Sequence, residues 1–224
     1  MSFDLLKRQY TTCTRCPSLC QSRSQVVFGS GNPQTEVVFI GEAPGAHEDK
    51  QGIPFCGMSG KVLNELLATI NLSREDIFIT NTILCRPENN RNPAKEEVAN
   101  CRERLDQLLT IIKPKVIVTI GNFATERLLT KTGIKSLRGK KFPISIANRE
   151  TIVIPVIHPA NYLYSGRNPI LFEEMKNDFK MIAEIIRNSP KASHPNRRIS
   201  VTQESGSFLS VIETKTRQKT SGKS

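Results

Sequence analysis

Four runs of apolar, largely β-branched residues punctuate the 224-residue chain: EVVFIG from Glu36, IFITN from Ile77, VIVTIG from Val116 and TIVIPVIHP from Thr151. Continuous apolar runs of this length mark strands covered on both faces, whereas a half-exposed strand alternates. Between the runs the period lengthens to that of a helix. GKVLNELLATI, from Gly60, sets Val62, Leu63, Leu66, Leu67 and Ile70 on one face. A second helical stretch runs from about Pro93 through EEVANCRERLDQLLTII, a third covers roughly Phe123 to Leu129, and a fourth spans Leu171 to Ile186 with Phe172, Met175, Phe179, Ile182 and Ile186 on its apolar side. Strands alternating with helices predict an α/β domain: a three-layer α/β/α sandwich with a central, largely parallel four-stranded sheet.

Such sheets bind ligands in the crevice beyond the carboxyl ends of their strands. The residues there are Gly41 to Gly45, Asn81, Gly121 and His158. Glycine, asparagine and histidine fill a core poorly but serve close backbone approach and hydrogen bonding, so their recurrence at four strand ends is the first functional signal. From Ser189 onward, periodicity is lost and Ser, Thr, Lys and Arg dominate. The domain is therefore expected over residues 1–188, with 189–224 a disordered basic tail suited to nonspecific DNA tethering or to a partner such as a sliding clamp.

Charge narrows the partner. Lys and Arg number 32 against 21 Asp and Glu, a formal +11 at neutral pH, which points to a polyanion and first to nucleic acid. No run approaches the ~18 apolar residues of a membrane span, and MSFDLLKRQYTTC holds no apolar signal core. A cytoplasmic monomer is the default expectation.

In that compartment six cysteines point to metal or catalysis rather than disulfides. Cys13 and Cys16 form a C-x-x-C, Cys20 follows, Cys85 lies just past the second strand and Cys101 falls inside the second helix. Thiolates from separated segments suit either zinc or an iron–sulfur cluster, and spacing leaves that choice open. A thioredoxin-like pair needs a preceding strand, and nothing before Cys13 reads as one. Cys56, beside Phe55, reads as a small packing residue.

The loop after the first strand, GEAPGAHEDKQGIPFCGMSG, presents Glu42, Glu48, Asp49 and Phe55 around one cavity. A carboxylate there can take a proton from water, and an aromatic ring can stack on a base that has left the helix. An aromatic fraction of 6% with no Trp disfavours an extended single-strand platform and favours a pocket for one base. A noncatalytic nucleic-acid-binding module with a metal clip would account for the charge and the cysteines, but not for this convergence.

Taken in order, CTRC, VVFGSGN, GEAPG through PFCGMSG, ITNTILCRP with CRPENNRNP, SLRGKKF and HPA resemble the family 4 uracil-DNA glycosylases, from about Cys13 to Ile186. The resemblance implies hydrolysis of the base–sugar bond of uracil in single- or double-stranded DNA, leaving an abasic site. It implies a structural 4Fe-4S cluster on Cys13, Cys16, Cys85 and Cys101, with Cys20 outside the set. It makes Phe55 the stacking platform, Asn81 the reader of the Watson–Crick edge and His158 the donor to uracil O2. Glu42 is expected to position water, with Gly41 and Ala43 amides against the base and Glu48 or Asp49 as a second carboxylate. DNA engagement is expected from KTGIKSLRGKKF and from a surface loop, ANYLYSGRNP, with Tyr162, Leu163 and Tyr164 as wedge.

Overall fold

The computed structural model describes residues 1–188; the expected tail, 189–224, lies outside them. The chain opens with helices α1 (Phe3–Thr11) and α2 (Pro17–Ser22), then passes through β1 (Ser30–Gly31) into β2 (Val37–Gly41). Helices α3 (Ala46–Gln51) and α4 (Met58–Ala68) lead to β3 (Phe78–Asn81), and α5 (Lys95–Ile112) leads to β4 (Val116–Ile120). After α6 (Gly121–Leu129) and α7 (Ile134–Leu137) come the hairpin β5 (Phe142–Ile146) and β6 (Arg149–Val156), then α8 (Pro159–Tyr164) and α9 (Pro169–Asn188).

The four apolar runs form the parallel centre, β3-β2-β4-β6. Adjacent residues serve opposite layers. Val38 and Ile40 pack with Leu105 and Leu108 of α5 and with Leu6 and Tyr10 of α1. Val37 and Phe39 pack with Leu63 and Leu66 of α4 and with Met175 and Phe179 of α9. Both faces are covered, which is why these strands read as unbroken apolar runs.

The sheet among the described residues has six strands rather than four. β1 and β5 lie antiparallel on the two edges. β1 is two residues long, and β5 (FPISI) alternates half-buried and exposed positions around Pro143, which an edge tolerates. Ala147 and Asn148, both left-handed (φ 49° and 60°), close the β5–β6 hairpin without the usual Asn-Gly signature. The stretch from Lys131 to Phe142 therefore carries α7 and the start of an edge strand. Among the described residues no helix is long and apolar enough to cross a membrane.

β2 is the pivot of the topology, since the chain leaves it for β3 on one side and returns to β4 on the other. The crevice beyond Gly41 and Ile120 is thus the switch point where α/β sheets bind ligands.

Candidate active site

A cleft of about 810 Å³ opens at that point and is lined by Glu42, Ala43, Phe55, Asn81 and His158 among others. Gly41 lies beneath it. A Cβ there would run into Asn81 Oδ1 and, at 2.7 Å, into the Phe55 ring, so only glycine lets the two side chains meet over the strand end.

Phe55 is held in an unusual backbone conformation, φ 52°. Two neighbours hold it there. Arg74 donates Nη1 to Pro54 O at 3.0 Å, Nη2 to Phe55 O, and Nε to Asn64 Oδ1 at 2.8 Å. Gly60 leaves room for the Phe55 carbonyl, which any Cβ at that position would strike. Strain maintained by such surroundings is characteristic of ligand sites. The Phe55 and His158 rings stand 5.7 Å apart, tilted by 30°.

His158 caps α8, its Nδ1 accepting from Ala160 N at 3.1 Å. That bond makes Nδ1 the unprotonated nitrogen and leaves the proton on Nε2. Burial pushes the imidazole down to about 4, against a weaker opposing pull from Glu48, so the ring is neutral at physiological pH. Burial raises the Glu42 carboxyl above its ordinary range. Glu48 also lines the cleft, but its Oε1 accepts from Gly57 N at 3.2 Å. Asp49 turns the other way: it is 2% exposed and both its oxygens accept from Ser24 N, at 2.9 and 2.8 Å. Asp49 ties α3 to the segment before β1 and is no site carboxylate.

Asn81 is 2% exposed, and its Oδ1 has no hydrogen-bond partner. A buried acceptor left unmatched at the floor of a cleft is poised for a ligand donor. Under it lies a residue that the sequence does not flag. Arg104 on α5, fully buried, donates Nη2 to Asn81 O (2.6 Å) and Thr82 O (3.1 Å) and Nη1 to Thr80 Oγ1 (3.2 Å). Within CRERLDQ it reads as one charge on a solvated helix face.

The cleft rim differs from expectation. ANYLYSGRNP begins as helix α8 instead of a loop. Tyr162 is partly buried and packs on Phe172, with ring centroids 4.9 Å apart, so it belongs to the core. Leu163 and Tyr164 do line the cleft, and Tyr164 is 87% exposed. In the basic stretch Arg138 is tied to Asp178 (3.0 Å) and Glu174 (3.4 Å). Asn90, Arg91 and Asn92 also line the cleft.

Cys13, Cys16, Cys85 and Cys101 line one small cavity between α1, α2 and α5. Arg23 Nη1 donates to Cys85 Sγ at 2.9 Å and Asn100 Nδ2 to Cys16 Sγ at 3.5 Å, each bond opposing the burial that pushes the Cys85 thiol up to about 11 and also raises that of Cys16. Cys20 is not part of the lining; its thiol points at Cys13 O, 3.7 Å away. Cys56 is half-buried and lies near Glu48 and Arg74. Among the described residues no three His, Cys, Asp or Glu side chains are set to hold one metal ion.

The family model of the uracil-DNA glycosylase superfamily matches residues 28–180. The type-4 uracil-DNA glycosylase of Sulfurisphaera tokodaii is 41% identical over 190 residues, covering 82% of this chain and 84% of that protein. Those of Archaeoglobus fulgidus and Thermotoga maritima are 42% and 39% identical, each over 82% of this chain and over 93% and 94% of their own. A switch-point cleft walled by Phe55, Asn81 and His158, on a chain so extensively matched, places this protein in the type-4 branch of the uracil-DNA glycosylase superfamily.

Proposed function

We propose that this chain is a monofunctional uracil-DNA glycosylase that hydrolyses the N-glycosidic bond of uracil in DNA and leaves an abasic site. The observation that carries the reading is the unpartnered, buried Asn81 Oδ1 facing the same cleft as Phe55 and a neutral His158. A flipped uracil stacks on Phe55. Its N3–H meets Asn81 Oδ1 and its O4 accepts from Asn81 Nδ2, while cytosine offers the opposite donor and acceptor.

As the bond between C1′ and N1 breaks, its electron pair leaves with the base and negative charge grows on O2. His158 Nε2–H donates to that oxygen. A neutral donor gives no proton away in the ground state and is worth most in a dry, preorganised pocket. Glu42 holds the water whose oxygen joins C1′, and its carboxyl, made more basic by burial, takes the water's proton. Water is taken as the nucleophile, placed by Glu42 at the cleft. Arg91 at the opening and the overall charge of +11 suit a phosphate backbone, and Leu163 and Tyr164 suit the gap left by the flipped nucleotide.

Cys13, Cys16, Cys85 and Cys101 would hold the 4Fe-4S cluster. The four thiols lining one cavity suit zinc or a cluster alike, and it is the family resemblance that selects the cluster; Arg23 and Asn100, which donate to Cys85 and Cys16, would offset its charge. When bound, the cluster supplies a cross-link between the N-terminal segment, the end of β3 and α5; hydrolysis transfers no electrons. The deciding assay incubates anaerobically purified protein with a labelled oligonucleotide bearing one uracil and no added metal. Strand breaks that appear only after alkali are expected; surviving uracil on bound DNA would return the protein to the class of binding modules.

A further inference from the structure

Among the described residues Arg104 is the largest side chain fully removed from water, yet no carboxylate is among its hydrogen-bond partners. Burying a guanidinium without a hydrogen-bonded carboxylate is unfavourable, offset only in part by the nearby Cys101, Tyr10 and Cys85, and an unbranched apolar side chain would fill the space between α5 and β3 without that penalty. What the guanidinium does there is specific. β1 pairs only with Phe78 and Ile79, and the segment before it continues along the outer edge of β3 through Thr80 Oγ1 to Phe28 O and Val27 N to Leu84 O, but gives no backbone donor to Asn81 O. Arg104 supplies the missing donors, one nitrogen bridging the carbonyls of Asn81 and Thr82 and the other reaching Thr80 Oγ1.

The bracing continues on both sides. Thr80 Oγ1 donates to Phe28 O at 2.8 Å. Thr82 donates its backbone N–H to Gly41 O at 2.9 Å and its hydroxyl to Glu42 O. One planar fork therefore fixes the backbone of Asn81 and, through Thr82, the strand end that carries Gly41 and Glu42. Lysine cannot reproduce a bridge of this geometry.

We propose that Arg104 is a positioning residue for base recognition, holding Asn81 where its amide can read uracil from beneath the pocket floor. The inference rests on the reading of Asn81 given above. An amide recognises a base edge only if its orientation is held, and the Asn81 carbonyl at this strand end is held by the Arg104 guanidinium.

The test uses the cluster-bound protein and the affinity for free uracil, measured by calorimetry, with visible absorbance and melting temperature recorded for each variant. Arg104→Lys should weaken uracil binding about tenfold, the size expected when a charge-assisted bridge is lost, while absorbance stays native. Asn81→Ala should also weaken it, and the double variant should bind no worse than Asn81→Ala alone, because Arg104 acts through Asn81. Native affinity in Arg104→Lys, or additive losses in the double variant, would overturn the proposal. Native affinity in Asn81→Ala would instead remove the reading of Asn81 itself. Should Arg104→Lys not fold, Arg104→Met decides: it fills the same space without any of the guanidinium's donors, and uracil affinity equal to that of the native chain would overturn the role of Arg104.

Discussion

At the scale of single residues, burial shifts the two groups proposed to act on the glycosidic bond in opposite directions, and that separation is testable. His158, held down to about 4, stays neutral throughout the working range, so excision should show no acid limb near the ordinary histidine value of 6.5. Glu42 must be ionised, and burial lifts it, so the acid limb should lie above the ordinary carboxylate value of 4.5. Single-turnover rates across pH should place the limb there, and Glu42→Gln should slow excision and abolish it. His158→Ala should lower the rate at neutral pH by about 10²–10³, the usual effect of losing one preorganised donor. The histidine also has a stability signature. Its folded value lies below the unfolded one, so its contribution is fully present above pH 6.5 and is lost as pH falls towards 4; thermal melts of His158→Gln should lack that dependence. Gly41→Ala makes a sharper steric test. Its methyl would strike both Asn81 and Phe55, so DNA binding should persist while uracil affinity and excision collapse.

At the scale of elements, α5 joins the two functional regions, and its first turn is fastened by one carboxylate. Glu97 accepts from Arg91 Nη1 (2.9 Å), Arg91 Nη2 (2.6 Å), Ala94 N (2.7 Å) and Ser18 Oγ (3.3 Å), tying the cleft-lining Arg91 to the start of the helix and to α2. Arg91 is nearly half exposed, so the ion pair is discounted for solvent. Glu97→Ala should cost about 1–2 kcal/mol, chiefly the lost cap, seen as a melting temperature ~3–6 °C lower. The elements that pattern alone revealed are chiefly those whose burial is two-sided or strongly periodic: β2, β3, β4 and β6, with α4, α5, α6 and α9. β5 was hidden because an edge strand needs only one apolar face and its turn uses Ala147 and Asn148. Tyr162 and Tyr164 were indistinguishable as aromatic neighbours, since only the packing of Phe172 assigns one to the core. Arg104 was invisible for a related reason: nothing in CRERLDQ separates a buried guanidinium from the exposed Arg102 beside it.

At the scale of the whole molecule, two layers of core flank the sheet, and the four cysteines all lie on one side of it. Cys13 and Cys16 belong to the N-terminal segment, Cys101 to the helix that carries Arg104, and Cys85 to the chain just four residues past Asn81. The four thiols should therefore be unequal in their effect on recognition, even if each is needed for the same cluster. The N-terminal segment has its own anchorage, since α1 buries Leu6 and Tyr10 beside Leu105 and Leu108 of α5, and the opposite layer, from Leu63 to Phe179, does not touch the cysteines. Cys13→Ala should lose the brown absorbance, melt lower and admit protease between about residues 12 and 24, while retaining most of its affinity for free uracil. Cys85→Ala should lose colour as well and should also lose uracil affinity, because the segment it releases is the one whose carbonyls Arg104 braces beneath the reader. Equal uracil binding in the two colourless variants would mean that the pocket floor is held by its own core alone, independent of the cysteine cavity.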